Sequence, residues 1–266
     1  MANRTALITG ASSGIGAAFA ELYAKHGHDL VLTARRRDRL EANAAGLRER
    51  FGVDVRVVDA DLIEPDSVDR VIAGADRPID VLINNAGFGL SGDFLASPWE
   101  AQKRVIRLLL EAPAELAHKL AGGMAARRYG RIVNVASVAG LVPGTAGHTL
   151  YPATKAALVR FSQSLNLELA AEGVHVTALC PGFTYSEFHD ANGTRSIVSK
   201  LPKWMWLTVE QVVEDGYRAV ERNEAVTVPG RQYKAITGLA HLLPENIGLA
   251  IQRRQGGRFR KAGEPG

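Results

Sequence analysis

The chain has 266 residues, 46% of them hydrophobic and 23% charged, with 27 Gly, a single Cys and a formal charge of +4. These proportions belong to a globular protein with a large core and exclude a disordered chain. One cysteine excludes an intrachain disulfide and any multi-cysteine zinc or iron–sulfur site, and gives no sign of an oxidising compartment.

The excess charge is local. Residues 252–266 hold Arg253, Arg254, Arg258, Arg260 and Lys261 against Glu264, which leaves 27 basic and 27 acidic residues elsewhere. The basic pI of about 9.3 is thus a property of a Gly-rich tail, and no nucleic-acid partner is expected. Two uncharged stretches, 5–20 and 132–154, suggest membrane or targeting segments at first sight. The first is broken by Gly10, Gly14, Gly16 and the Ser12-Ser13 pair, so it lacks the apolar run of a cleaved signal. The second contains Asn134, Ser137, Pro143, His148 and Pro152, which suits a buried site better than a spanning helix. A cytoplasmic location is expected.

In chain order, apolar runs predict strands at Ala6–Thr9, Leu30–Thr33, Val53–Val58, Val81–Ile83, Arg131–Val135, Val174–Leu179 and Val226–Val228. Helical stretches lie between them at about 14–26, 37–50, 66–74, 99–128, 150–172 and 208–223. Ser97-Pro-Trp-Glu100 and Thr208-Val-Glu-Gln211 both have the spacing of a capping box. Val- and Ile-rich strands alternating with helices predict an α/β, doubly wound parallel sheet with helices on both faces. One domain is expected over 1–266. It has a core at about 3–230, an insertion at about 184–207 and an extra C-terminal segment at about 231–266.

Thr9-Gly-Ala-Ser-Ser-Gly-Ile-Gly16 follows the first strand and opens the first helix. Glycines there allow a tight turn and close approach of backbone N–H groups to a pyrophosphate, which the helix N-terminus also favours. The second strand should end beside the adenosine ribose, where an NAD site usually carries an acid. Here Ala34 is followed by Arg35, Arg36 and Arg37, so an acid is missing and guanidinium groups are available for a phosphate. That favours NADP(H), with Arg35 and Arg36 as candidates, whereas Arg37 and Arg39 read as the solvated start of helix two. Tyr151 and Lys155 stand four apart at a helix start and share a face. A nearby ammonium is expected to lower the phenol's pKa, and Ser137, at the end of a strand, has a hydroxyl to offer a substrate oxygen.

The order TGASSGIG, Asp61-Leu62, Asn84-Asn-Ala-Gly87, Ser137, Tyr151-Pro-Ala-Thr-Lys155 and Pro181-Gly182 resembles the short-chain dehydrogenase/reductase family over about residues 3–230. The resemblance implies a Rossmann-type oxidoreductase with catalytic Ser137, Tyr151 and Lys155. Tyr151 would be the general acid in reduction, Lys155 would bind the nicotinamide ribose, and Ser137 would orient the carbonyl. The cofactor would be held by Gly10, Ser12, Ser13, Gly14, Ile15 and Gly16. Asp61 and Leu62 would meet adenine, and Asn84, Ala86 and Gly87 would line the middle of the cofactor. Pro181, Gly182, Phe183 and Thr184 would pass the nicotinamide amide, with Ser186 where the family often has Thr. One position departs. Ile106-Arg-Leu-Leu-Leu-Glu-Ala112 puts Leu109 where the family usually has an Asn that supports a water in its proton relay.

Cys180 reads as a buried structural residue, and scattered histidines give no metal motif. His148, close to Tyr151, either adds a polar contact or caps the loop. Phe183, Tyr185, Phe188 and the segment Leu201–Trp206, where the family carries a substrate lid, suggest an apolar small-molecule carbonyl or alcohol as substrate. Tyr233–Ile251, interrupted by Pro244, is expected to pack on the body; a subunit interface or a membrane surface is the alternative. The leading reading is carbonyl reduction by a homodimer or homotetramer. The rival is a nucleotide-binding regulator with impaired chemistry and a regulatory or lipid-surface role.

Overall fold

The structure, a computed structural model, describes residues 3–187, 199 and 201–255. Seven strands form one sheet: β1 Thr5–Thr9, β2 Asp29–Ala34, β3 Val55–Asp59, β4 Val81–Asn84, β5 Gly130–Val135, β6 Val174–Leu179 and β7 Val226–Thr227. Their order is β3-β2-β1-β4-β5-β6-β7 and every pairing is parallel. This is the expected doubly wound sheet, and its order reverses between β1 and β4. A crevice opens there at the carboxyl edge of the strands, the usual place for a ligand in such sheets.

Helices cover both faces because the strands are apolar on both. Ala6 and Ile8 of β1 join one cluster with Phe19 and Tyr23 of α1 (Gly14–Lys25), Leu40 of α2 (Arg37–Phe51) and Val212. The intervening Leu7 joins the other cluster, with Val68 and Val71 of α3 (Ser67–Ala75) and with Leu116 and Met124. Leu30 and Leu32 against Val31, and Val81 and Ile83 against Leu82, divide in the same way. A strand's side chains alternate between faces, so a continuous apolar run feeds two cores.

The long helix expected at 99–128 is three pieces: α4 Trp99–Ile106, a π-helical turn Arg107–Glu111, and α5 Ala112–Ala126. Pro113 lacks the N–H that would reach the Leu109 carbonyl, and the Ala112 N–H bonds the Arg107 carbonyl five residues back instead. The capping box expected at Ser97–Glu100 does not form. Pro98 takes the N-cap position and its carbonyl accepts from the Ala101 and Gln102 N–H groups, so the helix starts one residue beyond the reach of Ser97. The second capping box is present at α7 (Val209–Glu221): the Thr208 hydroxyl accepts from the Gln211 N–H at 3.3 Å, and the Gln211 side chain accepts from the Thr208 N–H at 3.1 Å.

Tyr151 and Lys155 lie on α6 (Leu150–Leu169). The C-terminal segment forms α8 (Arg231–Leu242) and α9 (Glu245–Gln255), separated by the expected break at Pro244. It packs on the body through Tyr233 of α8 and through Gly248 of α9, where an added methyl would stand 2.6 Å from Pro143 Cγ. Tyr233 and Thr237 are the buried residues of α8, whereas Ile236, Leu239 and Leu242 are exposed, as are Ile247 and Leu249 of α9. Tyr233 and Thr237 take the inward face of α8, and its apolar side chains fall on the outward one. No helix among the described residues is long and apolar enough to cross a membrane.

Replacing Thr208 by Ala removes one half of the capping box. It should lower the unfolding free energy by about 1 kcal/mol in denaturant titration, with the denaturant slope unchanged.

Candidate active site

All the sequence motifs end on one edge of the sheet. The glycine loop follows β1, Arg35 and Arg36 follow β2, Asp61 follows β3, Asn85 to Gly87 follow β4, Ser137 follows β5, and Pro181 to Thr184 follow β6. Two loops meet at the switch point. The Thr9 hydroxyl donates to the Ile83 carbonyl at 3.2 Å and accepts from the N–H groups of Asn85 and Ala86, both at 2.9 Å. The Asn85 amide in turn donates to the Thr9 carbonyl at 2.9 Å and the Gly10 carbonyl at 3.3 Å. A methyl group on Gly16 would stand 2.3 Å from the Gly10 carbonyl oxygen, so only glycine lets α1 begin this close to the end of β1. Ser13 is the N-cap of α1, which aims the helix N-terminus along the loop.

Of the other residues expected along the cofactor path, several serve the body of the protein. Ile15 and Phe183 pack against the first core cluster, and Leu62 is buried in the second. Asn84 is buried at 3% exposure and donates to Asn134 and the Pro113 carbonyl, so its neighbour Asn85 is the one that touches the glycine loop. The Asp61 carboxylate accepts from the Ile63 N–H at 3.1 Å. Ala86 and Gly87 border the same loop. Leu109 is fully buried, and a methyl on Gly87 would meet its Cδ2 at 2.9 Å. The Leu109 side chain therefore fills the space over this loop and brings no hydrogen-bonding atom to it.

The arginines after β2 lie at the same sheet edge. Arg36 lies over the glycine loop and donates to the Ser12 and Ser13 hydroxyls at 3.0 and 2.9 Å. Arg35 is exposed. Arg37 pairs with Asp59 at 2.9 Å, and Arg39 pairs with Glu187 at 2.7 Å, so neither is simply solvated. Carboxylates distant in sequence pair with both, which local sequence does not display.

Ser137, Tyr151 and Lys155 converge at the ends of β5 and β6. Ser137 has extended backbone; its hydroxyl accepts from the Ala139 N–H at 3.1 Å and is hydrogen-bonded to the Tyr151 hydroxyl. Lys155 is 6% exposed, donates to the Val135 carbonyl at 2.6 Å, and has its Nζ 5.8 Å from the centre of the Tyr151 ring. The expected lowering of the phenol is not found in this ligand-free chain. Burial pushes the Tyr151 pKa up to about 12, only partly opposed by the Ser137 bond. Burial also pulls Lys155 down to about 8, because a desolvated ammonium is costly. Cys180 is buried as expected, with its thiol pushed up to about 12 by the same effect. His148 is also lowered by burial, opposed by its backbone hydrogen bond to Leu90.

The mouth of the insertion is a small aromatic structure. Thr184 and Leu207 form an isolated bridge, with Leu207 donating to the Phe183 carbonyl at 2.9 Å and Tyr185 donating to the Leu207 carbonyl at 3.0 Å. Trp206 stacks on Tyr185 at 4.7 Å and lies 5.9 Å from Phe183. Phe188 lies outside the described residues. A residue that sequence reasoning missed holds this mouth in place. Tyr233 on α8 accepts from the Phe183 N–H at 3.0 Å and donates to the Met205 carbonyl at 2.5 Å. Its ring lies so close to Gly182 that a methyl there would stand 2.0 Å from it. Nothing in the sequence links positions 50 residues apart, so only the fold identifies this strut.

The donor set fits a dinucleotide. A lysine has three N–H donors, and the Val135 carbonyl takes one, leaving a buried ammonium suited to ribose hydroxyls. Arg36 and the helix N-terminus suit phosphate oxygens. A glycine loop at the switch point of a parallel sheet defines a Rossmann-type α/β protein.

Residues 4–196 match the family described as short chain dehydrogenase. Nodulation protein G of Rhizobium sp. (strain N33) is 34% identical over 247 residues, covering 90% of this chain and 98% of that protein. A short-chain dehydrogenase from Sphingobium yanoikuyae in complex with NADPH is 38% identical with a TM-score of 0.80, covering 93% of this chain and 95% of that one. The bulky-bulky ketone specific alcohol dehydrogenase from Comamonas testosteroni is 36% identical with a TM-score of 0.75, covering 98% and 97%. The chain belongs to the short-chain dehydrogenase/reductase family and is an NAD(P)-dependent oxidoreductase.

Two predictions follow from the burial of these groups. Lys155 should titrate near 8 when folded and near its ordinary 10.5 when unfolded. Between those values the unfolded chain binds more protons, so stability rises with pH. Over that window the wild type should gain up to about 3 kcal/mol relative to Lys155→Met in ligand-free unfolding titrations. A pH-independent difference would show that the lysine is not depressed. Tyr233→Phe leaves the Phe183 N–H and the Met205 carbonyl without their partner and should cost about 1–3 kcal/mol in the same assay.

Proposed function

We propose that this protein is an NADPH-dependent reductase of a ketone or aldehyde carried by an apolar small molecule, able to run in reverse as an alcohol dehydrogenase. The observation that carries the reading is the Ser137–Tyr151–Lys155 group standing at the same sheet edge as the glycine loop. When bound, NADPH supplies the hydride that reaches the carbonyl carbon.

The side chains divide the remaining work. The Ser137 and Tyr151 hydroxyls hold the substrate oxygen and polarise it. Tyr151 is kept protonated by burial in the empty cleft, and it donates its proton to the oxygen as negative charge develops there. Lys155 carries a positive charge up to about pH 8, steadies the phenolate left behind, and offers N–H groups to the ribose. Arg36, above Ser12 and Ser13, supports a preference for the phosphorylated adenosine. The aromatic mouth of Phe183, Tyr185 and Trp206 supports an apolar substrate. The NADPH held by the Sphingobium relative and the bulky ketones of the Comamonas relative agree with both points. Leu109, which brings no hydrogen-bonding group toward Lys155, favours a slower proton supply than the family's Asn allows. Exposed Leu95, Trp99 and Leu167 support assembly of the chain as a homodimer or homotetramer.

The test is turnover of NADPH and NADH with a panel of bulky ketones. The expected outcome is consumption of NADPH in preference to NADH, reduced at least about a hundredfold in Tyr151→Phe with the protein still folded. Cofactor binding without turnover of any carbonyl would favour the regulator instead.

A further inference from the structure

We propose that Glu187 is a built-in competitor for the adenosine 2′-phosphate and so sets how strongly this chain prefers NADPH over NADH. The inference rests on the reading of Arg36 as part of the phosphate site. Four side chains there form an anion seat: Arg36, Arg39, Ser12 and Ser13. The seat already holds an anion from this chain. Arg36 Nη1 donates to Glu187 Oε2 at 3.0 Å, and Arg39 Nη1 donates to Glu187 Oε1 at 2.7 Å. The other side of the Arg36 fork is spread over the two serine hydroxyls at 3.0 and 2.9 Å. Each carboxylate oxygen thus faces its own guanidinium, the arrangement a phosphate monoester would use.

Glu187 reaches this place from far along the chain, 151 residues beyond Arg36. The preceding residue fixes its approach: a methyl on Gly14 would stand 3.1 Å from Ser186 Cβ, so the chain at 186 rests on the glycine loop. A phosphate dianion and a carboxylate cannot share these donors. Both need the same N–H groups, and like charges at hydrogen-bond range repel. The carboxylate is displaceable rather than structural. Arg36, Arg39 and Glu187 have side-chain exposures of 42%, 46% and 49%, and ion pairs this exposed hold weakly. Glu187 also borders a groove of about 680 Å³ along α1 and α2, which gives a displaced side chain room to turn. An unphosphorylated ribose leaves the pair in place, so the competition falls on the phosphorylated cofactor alone.

Calorimetric titration with 2′,5′-ADP and 5′-AMP tests this without nicotinamide or turnover. Wild type, Glu187→Gln and Arg36→Ala are compared as full chains. Removal of the competing charge should raise the preference for 2′,5′-ADP over 5′-AMP about three- to tenfold in Glu187→Gln. Arg36→Ala should lower the same preference by a similar factor or more. If Arg36→Ala leaves it unchanged, the reading of the phosphate site falls and the competitor falls with it. If Arg36→Ala lowers it but Glu187→Gln leaves it unchanged or lowers it, the site stands and Glu187 is an orienting partner of the arginines, which overturns the proposal.

Discussion

The cleft depends on a clamp between the ends of β1 and β4. Strand order reverses there, so the connections after the two strands leave toward opposite faces of the sheet. What holds them together is a short set of hydrogen bonds between Thr9 and Asn85, closed from below by the contact of Gly16 with Gly10. Buried backbone groups must find partners, and here each loop satisfies the other. The glycine loop, the segment Asn85 to Gly87 and the start of α1 are therefore one rigid unit, and the other strand ends are hung around it.

Against that unit the chain keeps costly chemistry. Lys155 is a desolvated ammonium with one carbonyl for company, and Tyr151 is a phenol whose ionised form burial disfavours. Burial opposes charge on both, and their proximity does not cancel the cost in the empty cleft. Neither arrangement helps the protein fold. On the proposed function, a bound dinucleotide and a polar substrate oxygen would add to the partners these groups already have. The π-helical turn at Arg107–Glu111 shows the same economy of position. A proline fixed one residue into α5 forces a wide turn, and that turn lays Leu109 over the loop that follows β4.

Among the described residues, the insertion is bound to the body from two directions. Tyr233 holds its two ends from the C-terminal side, through Phe183 and Met205. Glu187 reaches the opposite way, to the arginines after β2. The aromatics Phe183, Tyr185 and Trp206 and the carboxylate of Glu187 thus flank one stretch of chain.

Much of this was legible along the chain. Apolar runs alternating with amphipathic ones determine the parallel sheet, because a strand buried on both faces has no polar side to show. Glycines spaced as in residues 10–16, and a tyrosine and lysine one helical turn apart, carry their local geometry with them. Other features became visible only in three dimensions. The N-cap at Pro98 rather than Ser97 and the π-helical turn before Pro113 come from proline's own backbone, a local cause that apolar periodicity does not display, whereas the outward face of α8 follows from which of its side chains pack on the body. Arg36 over the glycine loop, Glu187 between two arginines and Tyr233 across the mouth of the insertion join residues 23 to 151 positions apart. By itself the sequence determined the parallel sheet and the shared face of Tyr151 and Lys155, since these rest on periodicity and short spacing. Only the tertiary structure decided which charges meet and which phenol is buried, since those depend on distant segments folding to the same place.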